Sequence, residues 1–344
     1  MNAPERRSDE PKFGYRRILA VSVLVVLLLA VVPFVTNASI TEIAFTGLVF
    51  VMLGVSWNLL AGYAGQISLG HAAFFGMGAF VSAWVTTPAR AGLPTSLEMP
   101  ILVSLPVGGL AAAIIALVIG PIMFRLRGHY FAIGTLALAA IIQLLMLDQR
   151  QFTGGSTGYY IDSDVLPEVM FIVALFATVL TVAVTYQITR SSPGLAMKAI
   201  HSDESAASSL GVNPLKYKMY AFVVSSFFAG LTGALYAQYT LYVNPETTLG
   251  VVWTIDTLVI VILGGMGSMA GPIFGAFLFL GLDNALTPLV GGLATSVEGF
   301  LIILIIIFLP NGLYGVIRKR FLEKSDEATS LSSDQPTAGH SEEQ

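Results

Sequence analysis

The sequence predicts an all-α protein: a polytopic bundle of about ten transmembrane helices (eight to ten), with both termini in the cytoplasm. Three observations support this prediction. Apolar residues make up 55% of the 344 residues and charged residues only 11%, against roughly 25% charged residues in a soluble domain. Apolar runs close to the ~20 residues that cross a bilayer recur along the chain. The basic residues fall almost entirely in alternate loops.

The apolar runs give the order of the predicted spans. The first run follows MNAPERRSDEPKFGYRR, and an uncleaved span is a simpler reading than a signal peptide because the run is long and further spans follow at once. The pair that meets near 264–272 could instead be one broken helix. The predicted spans are 18–36, 40–61, 66–87, 100–124, 130–148, 168–189, 217–241, 251–268, 271–288 and 297–316.

Lysine and arginine determine the predicted orientation, because cytoplasmic loops are enriched in them. Only two of the 17, Arg90 and Arg150, lie outside the N-terminal segment, the loop after the fourth span, the 190–218 block and the C-terminal tail. The side that holds these four regions is therefore cytoplasmic. The chain then divides into a cytoplasmic N-terminal segment, a membrane domain with a cytoplasmic loop at 190–216, and a polar tail expected to be disordered: residues 1–17, 18–316 and 317–344.

The chain lacks the signatures of several functional classes. It has no cysteine, which excludes disulfides and thiolate metal sites, and no G-x-x-x-x-G-K-[ST] phosphate-binding loop. Its four histidines do not have metal-ligand spacing. We expect no catalytic residue, metal or cofactor in this chain, and any ATP that drives it would bind to another subunit. Lipid is the expected surrounding, and no nucleic-acid partner is expected.

Residues 194–213 read GLAMKAIHSDESAASSLGVN, a water-facing block between two spans. Ser192 followed by Pro193 can start a helix, Ser202 can cap a second helix, and Gly211 can end it in the left-handed conformation. Two short helices are therefore predicted. They form either an ordinary ordered connector or a docking element for another protein, with a narrow apolar edge of Ala206, Ala207 and Leu210.

Two glycine-rich stretches join predicted spans: NLLAGYAGQISLGHAAFFGMGAF (58–80) and ILGGMGSMAGPIFGAFLF (262–279). Small residues at such junctions let helix backbones approach closely, but paired glycine interruptions also mark transport pathways. The predicted topology places both junctions near the cytoplasmic face, which suits an inner gate, unless a re-entrant hairpin carries them deeper. The candidate pathway and gate residues are Asn58, Gly65, Gln66, Ser68, Gly70, His71, Gly264, Gly265, Gly267, Ser268 and Gly271.

One acidic residue also belongs to this candidate set. Asp256 lies about five residues into its predicted span, deeper than the other acids of the membrane domain. It either lines the pathway, lies at the membrane interface or bonds to a neighbour.

Several of these segments resemble a known family. ESAASSLG (204–211) resembles the E-x-A-A-x-x-x-G signature of ABC importer permeases, whose loop inserts into a groove on a cytoplasmic ATPase subunit. The glycine-rich stretches, RLRGHYFAIGTLALAAIIQLL (125–145) and TGGSTG (153–158) are similar to the branched-chain amino acid permease family, and the last two favour its LivM-type subunit. The resemblance covers about residues 45–316. It implies an ATPase-coupling loop formed by Gly194, Lys198, Asp203, Glu204, Ala206, Ala207 and Gly211.

The resemblance implies a multi-pass permease subunit of an ABC importer in the bacterial inner membrane. Its expected solutes are branched-chain or other hydrophobic amino acids, with urea or short amides as alternatives. The implied partners are a second permease subunit, either a similar sister or a second copy, two cytoplasmic ATP-binding subunits and an external substrate-binding protein. An ion-coupled secondary transporter is a second hypothesis, but it would place an ionisable group near the bilayer centre. A membrane scaffold or enzyme without a transport role is a third.

Overall fold

The computed structural model describes residues 12–163 and 165–291, together with residues 297, 299, 300 and 303. The described chain is all-helical apart from two short strands and the connecting segments, which confirms the predicted fold class. The helices are α1 (Lys12–Val35), α2 (Ala38–Asn58), α3 (His71–Thr86), α4 (Ile101–Met123), α5 (His129–Asp148), α6 (Arg150–Thr153), α7 (Pro167–Arg190), α8 (Ser192–Ser202), α9 (Glu204–Ser209), α10 (Pro214–Thr240), α11 (Pro245–Thr248), α12 (Val252–Gly264) and α13 (Gly271–Val290).

Smaller elements complete the description. A π-helical turn, Leu59–Tyr63, continues α2, and 3-10 turns cover Pro88–Ala91, Thr95–Leu97 and Gly155–Thr157. Strands β1 (Tyr159–Tyr160) and β2 (Tyr242–Val243) pair antiparallel, with Tyr159 opposite Val243.

Six helical stretches in the described chain are long and apolar enough to cross a membrane: Ala38–Tyr63, Ile101–Met123, His129–Asp148, Pro167–Arg190, Pro214–Thr240 and Pro245–Gly264. Three shorter apolar helices, Val23–Val35, His71–Thr86 and Gly271–Leu286, overlap three further predicted spans. The predicted tenth span (297–316) lies almost wholly outside the described residues, as does most of the N-terminal segment and all of the C-terminal tail. The count of ten and the cytoplasmic termini therefore stay predictions.

Two predicted spans are too long, and glycine conformation explains both errors. The span predicted at 66–87 becomes helical only at His71, and the span predicted at 251–268 ends at Gly264. Gly65 and Gly265 have φ of +69° and +113°, values that a right-handed helix does not contain. Hydropathy measures how apolar a run is and not where its backbone turns. Two separate helices, α12 and α13, meet at 264–272, as the predicted pair of spans requires.

Glycines bring α3, α4 and α10 into close contact at the centre of the bundle. An added Cβ on Gly78 would lie 2.0 Å from Gly230 O, and one on Gly233 would lie 1.8 Å from Phe75 O. Gly108 of α4 meets Gly78 in the same way, at 2.6 Å from its carbonyl oxygen. Helix backbones in this trio therefore touch directly, as small residues allow in a membrane bundle. Helix α2 packs outside the trio, against α7, α10, α12 and α13.

The connecting segments gather at two opposite ends of the bundle. At one end β1 pairs with β2, and Arg90 forms a two-point ion pair with Asp162 at 2.8 and 2.9 Å. Helices α8 and α9 and the second glycine-rich junction lie at the other end, which we call the coupling end, and the first glycine-rich junction begins there. This grouping agrees with the predicted alternation of the loops.

Candidate functional site

The first glycine-rich junction turns back alongside the helix that it leaves. The backbone N–H of Gln66 donates to Leu60 O at 3.0 Å, so the chain reverses directly after the π-helical turn. The indole N–H of Trp57 then donates to Ser68 O at 2.8 Å, and this bond holds the returning segment beside the end of α2. Residues 66–70 are non-helical, and α3 begins at His71. We call residues 64–70 the return segment.

The return segment ends deep inside the bundle. His71 Nε2 lies 3.0 Å from the hydroxyl of Ser225, which is the twelfth residue of the 27-residue α10. At 1.5 Å per residue, Ser225 is about 17 Å along a helix of about 40 Å. Helix α3 therefore starts near the half-way level of α10 and not at its end. The sequence prediction placed this junction near the cytoplasmic face, because the apolar run was read as one continuous helix from residue 66.

Side chains of other helices satisfy the non-helical backbone. Leu69 N–H donates to Thr135 Oγ1 at 3.0 Å, and Ala72 N–H donates to Thr254 Oγ1 at 2.9 Å. Backbone polar groups inside a membrane bundle need such partners because lipid offers none. Thr135 lies on α5 and Thr254 on α12, and neither was a predicted site residue. A single threonine in an apolar helix has no sequence pattern that distinguishes it.

One buried side chain joins the two glycine-rich junctions. The amide of Asn58 donates to Ser268 O and accepts from Gly267 N–H, both at 2.8 Å. Ser268 in turn accepts from Gly271 N–H at 3.0 Å and donates to Gly265 O at 2.8 Å. The structure therefore brings together two stretches that the sequence suggested separately. Asn58 is 1% exposed, whereas Ser268 is half-buried and Gly267 is exposed, so the bonds lead from a buried side chain toward the surface of the bundle.

Close packing accounts for several of the predicted glycines. An added Cβ on Gly264 would lie 1.8 Å from Gly271 O, and one on Gly271 would lie 2.2 Å from Gly265 O. An added Cβ on Gly70 would likewise clash, since it would lie 2.5 Å from Thr135 O. The packing interpretation is thus supported for these positions. Their assignment as gate residues stays a prediction, since a packed contact is also what a closed gate requires.

Helix α8 rests directly on the first junction. His201 Nδ1 lies 3.0 Å from Gly62 O, and an added Cβ on Gly65 would lie 2.9 Å from the His201 ring. Lys198 Nζ sits 5.4 Å from the centre of the Tyr63 ring, within reach of a cation–π interaction. His201 was absent from the predicted site. His201 lies three residues after the candidate Lys198, and residues three apart share a helix face. This spacing is the sequence signal that could have identified His201.

The caps of α8 and α9 differ from the predicted ones by one residue each. Helix α8 follows Ser191, not Ser192, and no side-chain hydroxyl caps it. The cap of α9 is Asp203 and not Ser202, because Asp203 has the extended backbone of a cap residue and a carboxylate that reaches the free N–H groups. That carboxylate accepts from two of them at 2.8 and 2.9 Å, those of Ser205 and Ala206.

Two further predicted residues fix α8 and α9 to the membrane helices. Lys218 Nζ donates to Glu204 Oε2 at 2.7 Å, which ties α9 to the start of α10. An added Cβ on Gly194 would lie 2.4 Å from Ile188 O, so glycine lets α8 fold tightly against the end of α7. Both residues therefore have structural roles in holding the block in place.

The three residues of the predicted apolar edge differ in exposure. Ala207 is buried against the protein, but Ala206 is exposed, and Leu210 is 86% exposed. The prediction extends the second helix to Gly211, whereas α9 ends at Ser209 and leaves Leu210 beyond it. An exposed leucine beside polar residues remains open to a partner surface.

Asp256 occupies a different level from the contact between the junctions. It is half-buried on α12, two residues after Thr254, which holds the start of α3. It thus lies at the deep end of the return segment, whereas Gly264 to Gly271 lie at the coupling end.

Gly211 offers a direct test of the block, because its φ is +86° and no atom lies within 4 Å of an added Cβ. Gly211→Val should cost roughly 1–2 kcal/mol from backbone conformation alone and displace α9. We expect solute uptake and co-purification of the ATPase subunits that the resemblance implies to fall, while the level of the protein in the membrane holds. Gly211→Asn is the matched control, since asparagine tolerates positive φ. Equal uptake by the valine and asparagine variants would contradict the role.

Comparison with known proteins gives consistent matches. The family described as "Branched-chain amino acid transport system / permease component" matches residues 39–310. The LivM permease protein of the high-affinity branched-chain amino acid transport system of Escherichia coli strain K12 is 30% identical, over 88% of this chain and 76% of its own. The Salmonella typhimurium LivM protein is 29% identical, over 86% and 75%. The LivH permease protein of the same Salmonella strain is 26% identical, over 78% and 92%. No solved structure matches the chain.

Proposed function

The chain belongs to the family of branched-chain amino acid transport system permease components, and we propose on that premise that it is a membrane subunit of an ATP-driven amino acid importer. The observation that carries the mechanism is the contact between His201 of α8 and Gly62 of the π-helical turn, at 3.0 Å. This contact places a water-facing helix directly against the candidate gate. An ion-coupled secondary transporter has no need of such an element, and the family match does not favour one.

The proposed mechanism follows the contacts from α8 inward. A partner ATPase that moves α8 would displace the π-helical turn through His201 and Lys198. The turn leads back to Asn58, whose amide bonds both glycine-rich junctions at once. Displacement of the turn therefore separates the junctions, and ATP binding and hydrolysis would alternate the bundle between two packed states. The predicted coupling and gate residues act here as one connected path.

The proposed assembly comes from the family. The relatives are permease proteins of high-affinity branched-chain amino acid transport systems. We propose that this chain pairs with a second permease subunit and works with two cytoplasmic ATP-binding subunits and an external substrate-binding protein. ATP binds to the partner subunits. The proposed solutes are branched-chain amino acids, with urea or short amides as the alternatives.

Uptake by the complete complex tests the function. The complex should be reconstituted in proteoliposomes with ATP inside and the binding protein outside, and uptake of labelled leucine should be measured with valine, isoleucine, urea and acetamide as competitors. We expect uptake that needs ATP and persists when ionophores collapse proton and sodium gradients. Uptake driven by an ion gradient without ATP would favour the secondary transporter, and competition by urea or acetamide alone would change the solute class.

The isolated subunit should bind no nucleotide, because its sequence contains no phosphate-binding loop. Photolabelling of the purified chain with an azido-ATP analogue measures this directly. The expected result is labelling that excess ATP does not reduce. Saturable labelling of the chain alone would place a nucleotide site here and contradict the division of labour between subunits.

A further inference from the structure

The hydrogen-bond distances around His71 favour one ring nitrogen as the carrier of the proton. The hydroxyl of Ser225 donates to Ser56 O at 2.7 Å, and the hydroxyl of Ser56 donates to Leu53 O at 2.8 Å. Each serine has only one hydrogen to donate. Both distances to the carbonyl oxygens are shorter than those from the serine oxygens to His71 Nε2, which are 3.0 and 3.4 Å. We therefore assign the serine hydrogens to the carbonyl oxygens and the hydrogen between His71 and the serines to Nε2. The neutral imidazole thus carries its hydrogen on Nε2.

This assignment leaves the other ring nitrogen as an acceptor without a donor. Nδ1 of a neutral Nε2–H imidazole has only a lone pair. The atom is buried, and no described residue donates to it; the whole side chain is 1% exposed. Most buried polar atoms in proteins are hydrogen-bonded, so an orphaned acceptor calls for an explanation such as a ligand.

The position of this acceptor suggests what the ligand is. His71 is the first residue of α3, which starts near the half-way level of α10, where the return segment meets the bundle interior. In secondary transporters, solute sites lie at interrupted helices near mid-depth, and an interruption at this depth is present here. We propose that His71 Nδ1 accepts a hydrogen bond from an N–H group of the solute as it passes the junction. This inference rests on the proposed function and identifies one atom that binds the solute.

The chemical class follows from the acceptor. A lone pair on neutral imidazole binds the ammonium group of an amino acid or the N–H of an amide or urea, and it repels a carboxylate. Amino acids, urea and short amides all share such an N–H donor. The proposed contact therefore selects for solutes with an N–H donor in general, and other residues recognise the rest of the solute.

Two substitutions separate the two ring nitrogens. The amide nitrogen of glutamine reaches the position of Nε2, so His71→Gln can still donate to Ser225 but has no acceptor at the Nδ1 position. Asparagine is shorter, so His71→Asn places its amide oxygen near Nδ1 and loses the bond to Ser225. His129→Gln is the matched control, because His129 is also the first residue of a helix, α5, and is exposed.

Uptake by the reconstituted complex gives the result. We expect His71→Gln to assemble as the wild type does and to lower uptake per ATP hydrolysed by about tenfold, the effect of losing one good hydrogen bond to a charged group. His71→Asn should keep more of this ratio than His71→Gln, and His129→Gln should keep all of it. A ratio for His71→Gln within twofold of the wild type would overturn the proposal and leave His71 as a packing residue. A larger loss in His71→Asn than in His71→Gln would do the same.

A second measurement needs no substitution at His71. Diethyl pyrocarbonate modifies unprotonated imidazole nitrogens, and mass spectrometry of the wild-type complex can follow His71 and His129 separately during turnover. Leucine delivered by the binding protein should reduce modification of His71 and leave His129 unchanged. Equal modification of His71 with and without leucine, or none in either condition, would contradict the proposal. Absence of leucine uptake by the wild type would instead refute the proposed function itself.

Discussion

Replacement of Gly233 by leucine should prevent the protein from accumulating in the membrane. The Cβ of any side chain at this position would lie 1.8 Å from Phe75 O, a backbone atom of α3. A backbone cannot rotate away as the end of a side chain can, so α3 and α10 would have to separate along their contact. Overpacking in a tight core typically costs about 1–3 kcal/mol, and a direct clash of two helix backbones should reach at least the top of that range. Membrane immunoblots and thermal aggregation of the solubilised protein measure the effect.

The same substitution in an open position is the control. Gly281 lies in α13 with nothing within 4 Å of an added Cβ, and leucine is the better helix former. Gly281→Leu should therefore accumulate and melt like the wild type. Wild-type levels and melting of Gly233→Leu would show that α3 and α10 do not touch as described.

Replacement of Asn58 by leucine should uncouple the two junctions without unfolding the bundle. Leucine has a similar size but cannot bond Ser268 O or Gly267 N–H. Each of these hydrogen bonds, from a buried side chain to a backbone group nearer the surface, contributes about 0.5–1.5 kcal/mol. The two together contribute about 1–3 kcal/mol, comparable with the free energy that separates the states of a typical conformational equilibrium. We expect uptake to fall by tenfold or more, with ATP hydrolysis continuing at a rate that no longer depends on solute.

A buried reporter position can show that the junctions have moved. Ser68 is fully buried in the return segment and the chain has no cysteine, so Ser68→Cys provides a single thiol. A water-soluble maleimide should label it slowly in the otherwise wild-type complex and faster when Asn58→Leu is also present. Asn284→Leu is the matched control, because the Asn284 amide donates only to Leu280 O within its own helix. Equal labelling rates in all three proteins would mean that Asn58 does not hold the junctions together.

The helix boundaries were predictable where polar or proline residues end an apolar run. Helix α4 covers Ile101–Met123 against a predicted 100–124, and α5 covers His129–Asp148 against 130–148. In both cases the helix ends where the run of apolar residues ends, and the backbone does not turn before that point. The two-helix character of the block after α7 was predictable as well, since Asp203 and Gly211 are strong local signals even though the cap was assigned one residue too early.

The contacts that build the candidate site were not predictable, because they join residues that are distant in the sequence. Neither Thr135 nor Thr254 differs locally from threonines that only face their own helix. The bond between His201 and Gly62 spans 139 residues. The depth at which α3 begins depends on its contact with Ser225 and on the path of the return segment. Neither can be predicted from the composition of the sequence. Predicting that both glycine-rich stretches matter was possible from glycine density alone, whereas predicting that Asn58 joins them was not.

The same long separations set an order of events during synthesis. Asn58 and its partner Gly267 lie 209 residues apart, and Ala72 waits for Thr254 across 182 residues. At about 5–20 residues per second, the ribosome needs roughly 10–40 s to cover either distance. Helix α2 is therefore synthesised long before Gly267 and Ser268, which bond Asn58 at its C-terminal end. A chain released before residue 254 would contain the return segment with its partners Trp57 and Thr135. It would lack the hydroxyl that bonds Ala72 and the backbone groups that bond Asn58.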